Sequence, residues 1–243
     1  MTKTVVCMKW GARYGPEYVR RLYAAVRRHV TGDLRFVCFT DDPAGCGAGV
    51  ETQALPDIAI PDRVAWTPWR KLSLWRAPLH DLSGDVLFLD LDVVVAGPLD
   101  ALFDYAPGRY AVIENWTQKG AGVGNTSVFR FPVGTYTHIF DAFDADPEAV
   151  LAAFRIEQQY ISARIPDQVF WPADWVVSFK HSLLPPFPLN WFRTPALTPD
   201  ARVVVFSGKP DPDEARDGVW PAPAHKRFYK HVRPTPWIAE HWG

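Results

Sequence analysis

The sequence predicts an α/β fold built on a mixed, mostly parallel sheet flanked by helices, and three observations carry that prediction. The chain opens on an apolar run, an amphipathic helical pattern and a second apolar run, the order of a βαβ unit with parallel strands. The stretch "DVLFLDLDVVVAGPL", Asp85 to Leu99, is apolar on both faces for most of its length, as a central parallel strand is. Beyond it, strand-length apolar runs keep alternating with helical patterns.

"TVVCM" is the first strand, and "KWGARYG" is the loop after it. In "PEYVRRLYAAVRRHV" the residues Val19, Leu22, Tyr23 and Val26 recur at helical spacing. Pro16 suits the first turn, Glu17 the positive end of the helix dipole, and Arg27 and Arg28 the other end before Gly32. "LRFVCFT" is the second strand. "TPWRKLSLWRAPLHDL" reads as an α-helix with Trp69, Leu72, Trp75 and Leu79 on one face and Arg70 and Lys71 directed elsewhere. It leads into one strand over Asp85 to Val95. A short helix at "PLDALFDY", a strand at "YAVI", a glycine-rich loop "KGAGVGN" and a strand at "SVFRF" follow, then helices at "TYTHIFDAF" and "PEAVLAAFRIEQQYISARI" and strands at "WVVSFK" and "RVVVFS". Residues 1–210 are expected to form one domain, with 211–243 an irregular, Pro-rich, aromatic and basic tail packed on it.

Composition narrows the function classes. A formal net charge of −1 gives no basis for a nucleic-acid partner. Three cysteines, with no CxxC pair, build neither a disulfide framework nor a zinc site and suggest a reduced, cytoplasmic setting. No apolar run of about 18 residues marks a membrane span, so the expectation is a soluble or peripheral protein. Aromatic residues reach 14%, eleven of them Trp, which suits core packing and sugar faces alike. In the tail, "HKRFYKHVR" interleaves Lys226, Arg227, Lys230 and Arg233 with aromatics. It is either a solvated strap or a contact to an anionic membrane surface near a lipid-linked acceptor.

Asp90 and Asp92 are the anomaly in this pattern, because an uncompensated carboxylate in a dry interior costs several kcal/mol. Two readings are open: both accept backbone or arginine hydrogen bonds past a strand end, or both meet one object beyond the carboxyl edge of the sheet, since residues two apart on a strand share a face. A divalent cation is the object such oxygens select, Mg2+ or Mn2+ being held by one or two carboxylates and the phosphates of a substrate.

With these residues in view, the chain resembles retaining glycosyltransferases of the GT-A fold, particularly glycosyltransferase family 8, the glycogenin-like and bacterial lipopolysaccharide galactosyltransferase group. The most specific stretch is "RKLSLWRAPLHDLSGDVLFLDLDVVVAGPLDALF", a lysine-bearing helix followed by a hydrophobic run ending in DxD. The resemblance covers most of residues 3 to 212. It implies a transferase that moves a sugar from a nucleotide diphosphate, a UDP-sugar, to the hydroxyl of a carbohydrate or lipid-linked glycan, with retention of configuration. It makes Asp90 and Asp92 ligands of Mn2+ or Mg2+ with Leu91 between them at the donor, and Lys71 a contact to donor or acceptor oxygens. The segment Met8, Lys9, Trp10 and Gly11 holds the nucleotide, with Tyr14 stacked near the base.

The same resemblance places Asn125 of "GNTSVFRF" at the family's amide near the reacting centre, and Glu157 and Gln158 at its acidic-Gln pair beside the anomeric carbon, with Glu in place of Asp. In the family a late "HFxGxxKP" motif supplies a histidine ligand and a diphosphate-binding lysine. Here "VVVFSGKPDP" keeps Gly208 and Lys209, but Val205 and Ser207 stand where the histidine could be, and Ser207 is a poor ligand. Two other readings accompany the transferase: a haloacid-dehalogenase-type phosphatase, whose motif normally follows the first strand, and a non-catalytic nucleotide-sugar binder of the same fold.

Overall fold

The computed structural model describes residues 2–242. Strands β1 (Lys3–Lys9) and β2 (Leu34–Thr40) flank helix α1 (Pro16–His29) and pair in parallel, with Cys7 beside Cys38. The main sheet adds β3 (Glu51–Ala54), β4 (Asp85–Leu89), β6 (Ala111–Glu114), β7 (Gly124–Pro132) and β8 (Val169–Phe170), in the order β3-β2-β1-β4-β7-β6-β8. Its first four strands are parallel, whereas β7 runs antiparallel to both β4 and β6. A smaller sheet joins β5 (Val94–Val95), β10 (Val203–Val205) and β9 (Val176–Ser178).

Strand alternation divides the apolar residues into two cores. Val5, Cys7, Leu87 and Leu89 meet Val19, Leu22 and Val26 of α1 on one face. Val6, Met8, Val86 and Phe88 meet Trp69, Leu72 and Trp75 on the other. Burying each such side chain contributes about 1.5–3 kcal/mol, and β1 and β4 supply residues to both cores.

The run Asp85–Val95 is not one strand. β4 stops at Leu89, the Asp90 N–H donates to the Ser127 carbonyl, and a turn at Leu91 and Asp92 leads into β5 of the second sheet. By strand parity Asp90 and Asp92 would have followed Val86 and Phe88 into an apolar layer. The turn releases both carboxylates while Leu91 and Val93 stay in the first core.

The Trp69 segment is also shorter and tighter than its periodicity suggested, a 3₁₀ helix over Pro68–Trp75. Pro78 disfavours helical backbone at Ala77, and the helix has already ended at Arg76 in extended conformation. At about three residues per turn, Lys71 aligns with Pro68 and Leu74 and is buried, 3% exposed, rather than directed away from the core. The single helix expected over 147–165 is two, α4 (Pro147–Ala153) and α5 (Glu157–Arg164), after α3 (His138–Ala145). The chain straightens at Phe154 to Ile156, where Phe154 packs on the second core and meets the Tyr160 ring. Glu157 therefore opens a helix instead of lying on the surface of one.

The segment after 210 is not irregular throughout. Helix α6 (Pro212–Asp217) begins in an Asp211/Glu214 capping box and ends at Gly218 with φ +76°, a conformation open to glycine. Helix α7 (Trp237–Trp242) buries Ile238 and Trp242, and the Trp242 ring meets Tyr18 of α1 edge-on at 5.1 Å. Helix α2 (Asp100–Asp104) is held from below by the fully buried Arg130, whose guanidinium donates to the carbonyls of Leu102 and Phe103.

Candidate active site

A cleft of about 520 Å³ opens where β1 and β4 end, the edge of an open α/β sheet at which ligands bind. It brings together Met8, Trp10, Tyr14, Lys71, Asp90, Leu91, Asp92, Glu157, Gln158, Ser207 and Gly208, all singled out in the sequence. They arrive from β1 and its loop, the 3₁₀ helix, the turn after β4, the start of α5 and the loop after β10.

Charge is organised around the two aspartates. The Lys71 ammonium lies 2.7 Å from one Asp90 oxygen and donates to the other at 2.8 Å, and it also donates to the Thr126 carbonyl at 2.9 Å. The Tyr14 hydroxyl donates to Asp92 at 2.8 Å. Burial, together with the negative charge of Asp90, pushes the Asp92 carboxyl up to about 7. Burial and the Asp92 charge likewise keep Tyr14 a phenol. Glu157 accepts from the Thr126 hydroxyl at 2.7 Å, and burial raises its carboxyl above the usual range. Three carboxyl groups thus share a site with one buried ammonium, a pattern that favours an added cation.

The donor set fits a hard divalent cation in part. Asp90 and Asp92 supply carboxylate oxygens, yet among the described residues no group of three His, Cys, Asp or Glu side chains is placed to hold a metal. Any further positions would fall to ligand oxygens and water, as is usual for Mg2+.

Four of the sequence-selected residues lie outside the cleft lining. Lys9 is buried and its ammonium faces the Asp42 carbonyl at 3.4 Å. Gly11, at φ +62°, donates its N–H to Asp41, and a Cβ there would come within 2.4 Å of the Trp66 ring. Asn125 is buried in β7, its side-chain oxygen accepting from the Ser127 N–H at 3.1 Å. Lys209 donates to Asp211 at 2.7 Å and to Glu214, so its charge is compensated at the start of the helix that follows it.

The cleft also contains residues that sequence reasoning passed over: Arg13, Trp66, Pro68, Ser127 and Phe206. Trp66 leaves 75% of its surface exposed, and no periodic pattern marked it. Arg13 lies over the Tyr14 ring at 5.0 Å and 3.9 Å from Asp211. Asp211, 7% exposed with one oxygen unpartnered, adds to the negative charge felt by Tyr14 and Asp92. Its capping-box spacing to Glu214 was the legible signal.

No protein-family profile matches the chain, and no curated protein sequence does. Solved structures do. The galactosyltransferase LgtC, crystallised in complex with donor and acceptor sugar analogs, superposes with a TM-score of 0.58 at 15% identity, covering 86% of this chain and 88% of LgtC. The glycosyltransferase GlyE of Streptococcus pneumoniae TIGR4 matches with a TM-score of 0.58 at 15% identity over 87% of this chain and 56% of GlyE. The bifunctional glycosyltransferase WbbM matches at 0.56 and 13% over 87% of this chain and 46% of WbbM. At such identities the likeness is one of architecture, and the architecture of this chain is the GT-A fold.

Proposed function

We propose that this protein is a glycosyltransferase that moves a sugar from a nucleotide diphosphate donor, a UDP-sugar, to a hydroxyl acceptor. The observation that carries the reading is the Asp90–Asp92 turn: two carboxylates released from an apolar strand into the cleft at the carboxyl edge of the sheet. The GT-A fold supports it.

In this reading Trp10 and Tyr14 bound the nucleotide, Lys71 holds Asp90 in position, and Glu157 and Gln158 face the sugar. Asp90 and Asp92 would hold a Mg2+ or Mn2+ ion, and the charge neutralisation it would supply at a departing diphosphate is where electrostatic catalysis is most effective. The chain's own part is to orient the donor and to exclude water around the reacting carbon. Retention of configuration, and the diphosphate contact of Lys209, belong to the same proposal; the latter requires Lys209 to exchange its two carboxylates for phosphate oxygens. In the phosphatase alternative the DxD motif follows the first strand, whereas here it follows β4.

For the acceptor side we extend the proposal to a peripheral contact with an anionic membrane on the cytoplasmic face. Phe187, Trp191, Phe192 and Phe228 are exposed, and the Phe187 and Phe228 rings meet edge-on at 6.0 Å. Lys226, Arg227, Lys230 and Arg233 accompany them in the chain. Among the described residues no helix is long and apolar enough to cross a membrane.

Calorimetry of UDP binding with and without Mn2+ tests the central reading. Binding that needs both the cation and Asp92, and disappears in Asp92→Ala, supports it. Donor binding without turnover against any acceptor would favour the non-catalytic binder, and no binding of any nucleoside diphosphate would overturn the transferase.

A further inference from the structure

Gln158 reaches the cleft with one end of its amide already committed. Asn115, 6% exposed, accepts at its side-chain oxygen from the Thr117 N–H at 2.9 Å and from the Thr117 hydroxyl at 2.8 Å. A backbone N–H is only ever a donor, so the oxygen of Asn115 is identified by its partner. The Asn115 NH2 therefore points the other way, where it donates to the Gln158 oxygen at 2.7 Å. In Gln158, which lines the cleft, the group left over is the NH2. Turning the Gln158 amide round would set two NH2 groups against each other, and turning both would set the Asn115 NH2 against the Thr117 N–H.

From this chain of partners we infer that Asn115 is a positioning residue which locks Gln158 as a hydrogen-bond donor to the ligand. The amide oxygen of Gln158 has one lone pair committed to Asn115, so the amide presents its NH2, not its oxygen, as the group without a partner. The ligand atom it meets is an acceptor oxygen, on the sugar or the diphosphate. The inference rests on the transferase reading for the identity of that ligand, and on the hydrogen bonds alone for the orientation. Sequence gave no notice of Asn115, which lies 43 positions from Gln158.

Two measurements test it. Side-chain amide exchange, followed by NMR on the full chain without ligand, should be slow for Asn115 and fast for Gln158; equal protection of both, or the reverse order, overturns the orientation. The second measurement is release of UDP from UDP-galactose and UDP-glucose with Mn2+. Asn115→Asp keeps the acceptor for Thr117 but replaces the donor by an oxygen, so Gln158 must turn its NH2 away from the cleft. Turnover should fall roughly 100-fold, the loss typical of one donor aimed at developing charge, with UDP affinity from calorimetry within about twofold of the parent. Gln158→Glu should fall about as far, because the same donor is lost in both. Full turnover in Asn115→Asp, with its melting temperature unchanged, overturns the role. Failure of the unsubstituted protein to bind UDP overturns the transferase reading and the ligand assigned to the amide, while the exchange rates still decide the orientation.

Discussion

Lys71 lines the cleft and Lys209 follows its Gly208 edge without lining it, each with its ammonium 2.7 Å from an aspartate oxygen, and they are not equivalent. Lys71 comes from the N-terminal wall, is 3% exposed, and is enclosed by Phe88, Asp90 and the Thr126 carbonyl. Lys209 comes from the C-terminal part of the chain, its side chain 46% exposed, where Asp211, the N-cap of α6, and Glu214 hold it. Ion pairs of equal length thus differ in consequence through solvation. A buried ammonium is required by the carboxylate beside it, and removing it strands a charge. An exposed one is screened and replaceable.

The largest expected effect tests whether the C-terminal part of the chain belongs to the core despite its exposed lysine. Trp242→Ala should cost about 3–5 kcal/mol in urea denaturation, because Trp242 is almost wholly buried against Tyr18 and under Arg21. A loss below about 1 kcal/mol would make α7 an appendage. Next comes Lys71→Met, expected to destabilise by about 3 kcal/mol since Asp90 and Glu157 lose their nearest buried cation. Addition of Mn2+ should restore part of that loss; no recovery would count against a cation between Asp90 and Asp92.

Lys209→Met sharpens the contrast, with an expected loss under about 1 kcal/mol that shrinks further in high salt. A tenfold weaker affinity for UDP in this variant would show that Lys209 leaves its carboxylates for a diphosphate, and unchanged affinity would remove that role. The smallest effect is acid sensitivity away from the cleft. Burial lowers His29, His181 and His231 below the ordinary value of 6.5. The unfolded chain then takes up protons first, so stability is complete above pH 6.5 and declines as pH falls toward the folded values. Replacing His29 by Gln should flatten that decline slightly in a pH series of melting temperatures.

Much of the N-terminal half was legible because strand and helix periods read directly as faces. Val5 and Cys7 against Val6 and Met8, and Val19, Leu22 and Val26 on α1, follow from alternation and 3.6-residue spacing alone. Local rules failed where two elements compete for one stretch. Lys71 was directed away from the core on an α-helix and is buried on a 3₁₀ helix; Glu157 fell inside one long helix and instead opens α5 in the cleft. The α6 cap and its Gly218 stop were readable, yet the density of prolines around them obscured the helix.

The parallel βαβ start, the two-faced core and the two aspartates that an apolar strand could not keep all follow from local pattern. That β4 ends at Leu89, that Lys71 and Tyr14 satisfy Asp90 and Asp92, and that Asn115 turns the amide of Gln158 depend on contacts between distant parts of the chain. The physical reason is range. Periodicity is set by the backbone and repeats every few residues, whereas these hydrogen bonds join side chains 19, 78 and 43 positions apart, and no local pattern encodes which distant partner will be there.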